Sequence, residues 1–562
     1  MRVFIPIPRK RIYSSFFLSL ALALTFVLTS CTSKNIESTI TTPTVEPSPI
    51  TKEQSQPTNK TASEGGVFKL ISSDPPTLDP HLASDATSAT MIVEIFGGLV
   101  TISPELEVVG DIAKNWEVSE NGLVYTFFLK EDAVFHNKKP VTANDFKWSL
   151  ERACDTLTES LVAGQYLGDI VGVKSKLRGE ARDIKGVRVI DDHTLEITID
   201  QPKSYFLAKL TYPTAFVLDR NNVEEGKRWT RNPNGTGPFK LKEYIPGELM
   251  VLERNPEYHL GPPHLSEVRF LLSGGTSMLM YENNELDIAG VGLADMDRLL
   301  DPSNPLNKEL HKAPPSFSTT YIGLNNNDPP FDDPKVRQAL NFAINRQEIA
   351  SLVLADLVYP AKGILPPGFP AYNASLPGYE YNPEKARQLL KESTYGDDTS
   401  KYPPIMLTKA GGFGAAVSLD LEVILESWRQ ELGLKISIQQ TEFASYLQDL
   451  HKRRFQMFDI AWIADYPDPE NFLDLLFHST SDNNHTNYNN PAVDNLLVQA
   501  RTETKKEKRY ELYQEAERLI LNDSPWIPLW HSGERYVLLK PWVKNYNMSQ
   551  LIVPKLRFIY FD

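Results

Sequence analysis

Two cysteines in 562 residues set the terms on which this chain can fold. Cys31 ends an apolar leader, so only Cys154 remains beyond it and no internal disulfide can form. Roughly 500 residues must then hold together on buried apolar surface alone. That exceeds one ordinary core and predicts about two to four domains. Cys154 closes Phe146–Cys154, which reads as a helix face, so a buried inert thiol is expected rather than a nucleophile.

The leader has the order of a secretory signal. Arg2, Arg9, Lys10 and Arg11 give a positive start, and Ile12–Ser30 carries no charge. The closing Leu28-Thr29-Ser30-Cys31 resembles the lipobox of bacterial lipoproteins, in which the cysteine becomes the lipidated first residue. The alternative is a soluble secreted chain with an accidental cysteine. About half of Thr32–Glu64 is Ser, Thr or Pro and none is aromatic, so residues 31–64 are expected to form a lipidated cysteine and a tether without a core. Losing the four basic residues of 1–30 takes the formal charge from −14 to −18, which argues against nucleic acid as a partner. No second apolar stretch is long enough to span a membrane.

Helix and strand signals are mixed throughout. Leu195, Ile197 and Ile199 alternate with polar residues as in a half-buried strand, and Tyr125–Leu129 and Leu434–Ile438 read likewise. Thr142-Ala143-Asn144-Asp145 has the spacing of a capping box with Asp in place of Glu. Asp333-Pro334 and Asn382-Pro383 each place a cap before a first-turn proline. Pro- and Gly-rich joints at Arg231–Pro238, Gly261–Pro263 and Ala313–Pro315 mark plausible seams.

Enzyme motifs are absent: there is no Gly-x-Ser-x-Gly, His-Glu-x-x-His or Walker-type loop. Gly235-Thr236-Gly237-Pro238 lacks the lysine of a phosphate loop and reads as a tight turn. His478 and His485 read as solvated loop histidines rather than metal ligands, and His81 as part of a turn after Asp79-Pro80. No cofactor or metal is expected. One carboxylate stands out. Asp465 ends the apolar run Phe458–Ala464, where a buried charge needs a partner or must be neutralised. That partner is either an internal arginine, such as Arg453 or Arg454, or a cation arriving as ligand. Trp462 is equally open between core and site, and Asp459 reads as a strand-start or structural acid rather than a second anchor. Asp465, Asp468 and Glu470 also lie within six residues, the raw material of a hydrolase with paired carboxylates, although Pro467 and Pro469 make the segment a turn of solvated acids.

Several ordered segments resemble the extracellular solute-binding proteins of the peptide/nickel type, the oligopeptide- and dipeptide-binding family of ABC importers. They are Pro76–His81, Ala113–Trp116 through Tyr125–Lys130, Phe135-His136, Pro140–Ala143, Asp145-Phe146, Asn234–Phe239, Leu252–Tyr258, Pro330–Leu340, Phe458–Phe472 and Lys540–Val543. The resemblance implies an α/β, two-lobed periplasmic-binding-protein fold with hinge crossovers and an extra subdomain on the first lobe. On this sequence lobe I maps to 65–95, 200–315 and 525–562, the extra subdomain to 96–199 and lobe II to 316–524. It also implies a monomeric, non-enzymatic lipoprotein on the extracytoplasmic side, anchored through Cys31, that hands peptides to ABC permease subunits. An aspartate after the Trp-containing strand pairs with the peptide ammonium in such proteins, and Asp465 matches it. Strand backbone at Trp462, Ile463 and Ala464 would bond the peptide, faced by the loop Ser84, Asp85, Ala86. Whether Asp85 matches an acid that some members carry there, or is offset by one position, stays open. A nickel chelate, haem or oligosaccharide is the alternative ligand within the same fold.

Overall fold

The computed structural model describes residues 65–411 and 416–562; the leader, Cys31 and the tether expected for 31–64 lie outside them. Within them, short-range chemistry sets the helix starts. Thr142 accepts from the Asp145 amide at 3.4 Å while the Asp145 carboxylate accepts from the Thr142 amide at 2.9 Å, opening the helix Ala143–Ala153. Asp333 caps Pro334–Phe342 through the Lys335 amide at 2.8 Å. Asn382 caps Pro383–Glu392 through the Lys385 amide at 2.9 Å. Each bond satisfies an amide that the first helical turn would otherwise leave unpaired.

The strands gather into three larger sheets and several small ones. Val67–Ile71 lies parallel to Glu267–Leu271, which continues antiparallel through Leu249–Arg254 to Phe239–Ile245. A second sheet of Ala113–Val118, Val124–Leu129, Thr194–Thr198 and Val187–Asp191 is wholly antiparallel. The third is a mixed six-stranded sheet: Val358–Pro360, Trp526–Ser532, Ser318–Leu324, Met457–Ile463, Ile405–Ala410 and Ile436–Thr441. Arg535–Leu539 joins Ile288–Gly290 and Leu310–Ala313, so the C-terminal segment returns to the first half of the chain. The boundary expected at 525 does not follow this pairing. Trp526–Ser532 hydrogen-bonds to Ser318–Leu324, and only the chain beyond it crosses back.

Gly235 and Gly237 serve close approach. A Cβ on either would overlap the Ile95 backbone at the end of the helix Ala86–Ile95, and the Gly237 amide donates to the Ile95 carbonyl at 2.8 Å. Cys154 is fully buried, and burial pushes its thiol up to about 12, which leaves it inert.

One buried acid makes stability depend on pH. Glu517, on the helix Lys506–Asp523, accepts from the Ile364 and Leu365 amides at 2.6 and 3.0 Å through Oε1, while its buried Oε2 has no partner. Burial pushes this carboxyl up to about 7. A carboxyl raised in the folded state contributes its full stability below the unfolded value, near 4.5, and loses it as pH rises through about 7. Glu517→Gln keeps the acceptor and removes the titration. In denaturant unfolding it should exceed the wild type by on the order of 3 kcal/mol at pH 8 and match it at pH 4.5.

Candidate functional site

The strand Met457–Ile463 carries the apolar run noted in the sequence. One edge pairs with Ser318–Leu324 along its full length; the other meets Ile405–Ala410 only from Met457 to Asp459. The Ala464 amide donates to the Phe317 carbonyl at 2.8 Å. Alternate residues of an antiparallel ladder turn both backbone groups to the same neighbour. Residues 460, 462 and 464 are therefore spent on the inner neighbour, while Ala461 and Ile463 turn their N–H and C=O groups to the unpaired edge. This corrects the expectation for the backbone of Trp462 and Ala464. Ala464 is buried, with its amide already used.

The open edge borders a cavity of about 250 Å³. Its wall brings together Ser84, Asp85 and Ala86 with Trp462, Ile463 and Asp465, as expected from sequence, but not Ala464. Asp85 has a structural duty as well: it caps the helix Ala86–Ile95 by accepting from the Ser88 amide at 2.8 Å. Trp462 is half-buried, packs on the core, and donates through its indole N–H to Asn471 at 3.2 Å.

Asp465 lies just past the strand end and opens on the cavity. The Tyr166 hydroxyl and the Asn471 amide donate to the same oxygen, Oδ2, at 2.6 and 3.0 Å. Among the described residues no protein donor reaches Oδ1, and no Lys, Arg or His forms an ion pair with this carboxylate. Arg454 pairs with Asp449 at 2.6 Å, and Arg453 donates to the Ser481 carbonyl at 2.8 Å. The internal-arginine alternative therefore fails. Burial pushes the Asp465 carboxyl up to about 6, against the pull of its two neutral donors.

The neighbouring acids are spent rather than solvated. Asp468 accepts both Arg509 Nη groups at 2.7 and 2.8 Å. Glu470 pairs with Lys209 at 2.8 Å, both side chains almost wholly buried, and accepts from the Tyr466 hydroxyl. Of the two readings of Asp459, the strand-start one gives way, since the residue lies inside the strand Met457–Ile463, where burial raises its carboxyl to about 6. The expected solvation of His478 and His485 is also corrected. Both are buried, and His485 lines the cavity beside His451, with ring nitrogens 3.3 Å apart. The turn at His81 is capped by Asp79, which accepts from the His81 amide at 3.0 Å.

Sequence reasoning missed Tyr166, Tyr212, His451 and the site position of His485. Tyr166 and Tyr212 stack with centroids 3.8 Å apart at 5°, and the Tyr212 hydroxyl donates to the Ala83 carbonyl at 3.2 Å. Both line the cavity. Among the described residues no cluster of three or more His, Cys, Asp or Glu is placed to hold a metal ion, and no helix is long and apolar enough to cross a membrane.

The cavity thus combines mostly apolar walls, a free strand edge and an Asp465 carboxylate with no cation partner among the described residues. The chain belongs to the bacterial extracellular solute-binding proteins, family 5, whose middle-region model matches residues 107–484. It is similar to the periplasmic oligopeptide-binding protein OppA of Escherichia coli, at 30% identity over 84% of this chain and 88% of that one. Among solved structures it superposes on the E. coli murein tripeptide binding protein MppA with a TM-score of 0.80, at 28% identity over 89% of this chain and 98% of that one. The fold is thus the two-lobed one of periplasmic binding proteins. The unliganded open form of MppA, covering 90% and 99% at 27% identity, reaches 0.63.

Proposed function

We propose that this protein captures peptides between its lobes and delivers them to the permease of an ABC importer, as a monomer held on the extracytoplasmic side by a lipid on Cys31. The lobes are taken as 65–95, 200–315 and the chain after Ser532 for the first, with 96–199 its extra subdomain, and 316–532 for the second. The reading is carried by Asp465, whose side chain lines the cavity and whose Oδ1 receives no protein donor among the described residues. A peptide of any sequence brings one ammonium group for that oxygen. Its backbone can add to the exposed groups of Ala461 and Ile463 as a strand without its side chains being read.

Relatives named for heme and for deoxycholate share the family, so the fold alone does not choose the ligand. The carboxylate favours an amine over either. Native mass spectrometry of the detergent-extracted protein should show co-purified masses of short peptides. A tetrapyrrole, bile-salt, sugar or metal-chelate mass in their place would overturn the peptide reading.

A further inference from the structure

A second, smaller cavity of about 20 Å³ adjoins the first. Thr101, on the strand Val100–Ile102, lines it together with Thr211, just past the helix Phe206–Lys209, and Asp465. The two cavities share Ala89, Tyr212, Asp465 and Ile552, so Asp465 stands on the wall between them. A water needs roughly 10–15 Å³ and about two to four polar partners. This volume therefore admits one water and little else.

The partners are present. A carboxylate has about four lone-pair sites. Tyr166 and Asn471 fill two, both on Oδ2, at 2.6 and 3.0 Å. A peptide ammonium fills one site on Oδ1 from the main cavity and leaves the other for the small one. Thr211 donates its hydroxyl to the Ala208 carbonyl at 2.7 Å, so its oxygen has only lone pairs to offer. Thr101 is buried, and among the described residues its hydroxyl has no hydrogen-bond partner, which leaves it free to donate. Val93, Ile102 and Phe216 make the rest of the wall largely apolar.

We propose that the small cavity is a water site built into the amine anchor. One water accepts from Thr101, donates to Thr211 Oγ1 and to Asp465 Oδ1, and stays in place when the ammonium arrives. Its role rests on the peptide reading above. Thr101 becomes a positioning residue that acts on the anchor through the water. The consequence is a charged anchor before any amine enters. Burial pushes the Asp465 carboxyl up to about 6 against two donors, and a third donor favours the ionised form again. The titratable groups facing Asp465 are Tyr166, Tyr212 and Tyr466, whose hydroxyls burial holds well above the ordinary tyrosine value, so none of them changes charge near neutral pH.

The Asp465 titration reads the water directly. The detergent-extracted full chain, free of peptide, is labelled with carbon-13 in its aspartate carboxyls. The resonance that Asp465→Asn lacks is followed between about pH 4 and pH 8. A hydrogen bond to a charged group moves such a midpoint by about one pH unit. Wild type should therefore titrate near 5, and Thr101→Ser, which keeps the hydroxyl, should match it. Thr101→Val, which removes the hydroxyl, and Thr101→Ile, which also fills the cavity, should titrate about one pH unit higher. Equal midpoints in wild type and both variants would overturn the water site and leave the peptide reading standing. A peptide retained from a randomised library of free-amine tri- to pentapeptides, read by native mass spectrometry, supplies the second arm. Thr101→Ile should bind it about fivefold more weakly than wild type at pH 5 and equally at pH 8. A raised midpoint with equal binding at pH 5 would keep the water and overturn the place of the amine at Asp465.

Discussion

Asp465→Asn should weaken binding of a free-amine peptide by about 3–5 kcal/mol, two to three or more orders of magnitude in Kd, without unfolding the protein. The size follows from what the substitution leaves behind. The ammonium enters a cavity where Asp465, just past the open strand edge, has no cation partner among the described residues, so removing the charge strands a desolvated cation. The fold should survive because an asparagine oxygen can still accept from Tyr166 or Asn471, and the Asp465 amide keeps its bond to Asn471 Oδ1 at 3.0 Å. Calorimetry gives the affinity and circular dichroism the fold. Affinity within threefold of wild type would remove the anchor.

Lys209→Met is expected to cost about 3–5 kcal/mol of stability in denaturant unfolding. Lys209 bridges Glu470 at 2.8 Å and Asp169 at 3.1 Å, with side-chain exposures of 6%, 5% and 13%. Asp169 keeps Lys203 at 2.6 Å, but Glu470 is left buried without a cation. Its carboxyl already stands above the usual range because burial outweighs the attraction of Lys209. Adding Glu470→Gln removes the stranded charge, so the double variant should recover most of the loss, a coupling that a cycle of the four proteins measures. A loss below about 1 kcal/mol with no recovery would mean that Lys209 and Glu470 are apart in solution.

Some of this architecture was legible because its causes are local. A cap and the amide it satisfies lie two or three residues apart, so Thr142 with Asp145, Asp333 and Asn382 could be read directly. Asp465 was legible for a different reason: a charge at the end of an apolar run has to be answered somewhere. What answers it was not legible. Tyr166 lies 299 residues away, and no periodicity links its helix to the strand before Asp465. The loop carrying His478 and His485 looked solvated because it is rich in Ser, Asn and Asp. Instead it is buried by bonding to itself and its surroundings, as where Asn484 donates to the Tyr488 carbonyl at 2.7 Å and accepts from the Tyr488 amide at 3.1 Å. The acids after Asp465 misled likewise, since Lys209 and Arg509 come from distant segments. Which backbone groups face the open edge depended on the pairing of Ala464 with Phe317, which fixes the parity of the whole strand.

The central claim is that Asp465 holds the peptide amine, and a thermodynamic cycle tests it most directly. Wild type and Asp465→Asn are each titrated with one retained peptide and with its N-acetylated form. The account predicts that acetylation and substitution each weaken binding by about two orders of magnitude or more, and that together they cost little beyond either alone, because both remove the same ion pair. Additive losses, or acetylated peptide binding the wild type as tightly as the free amine, would contradict it.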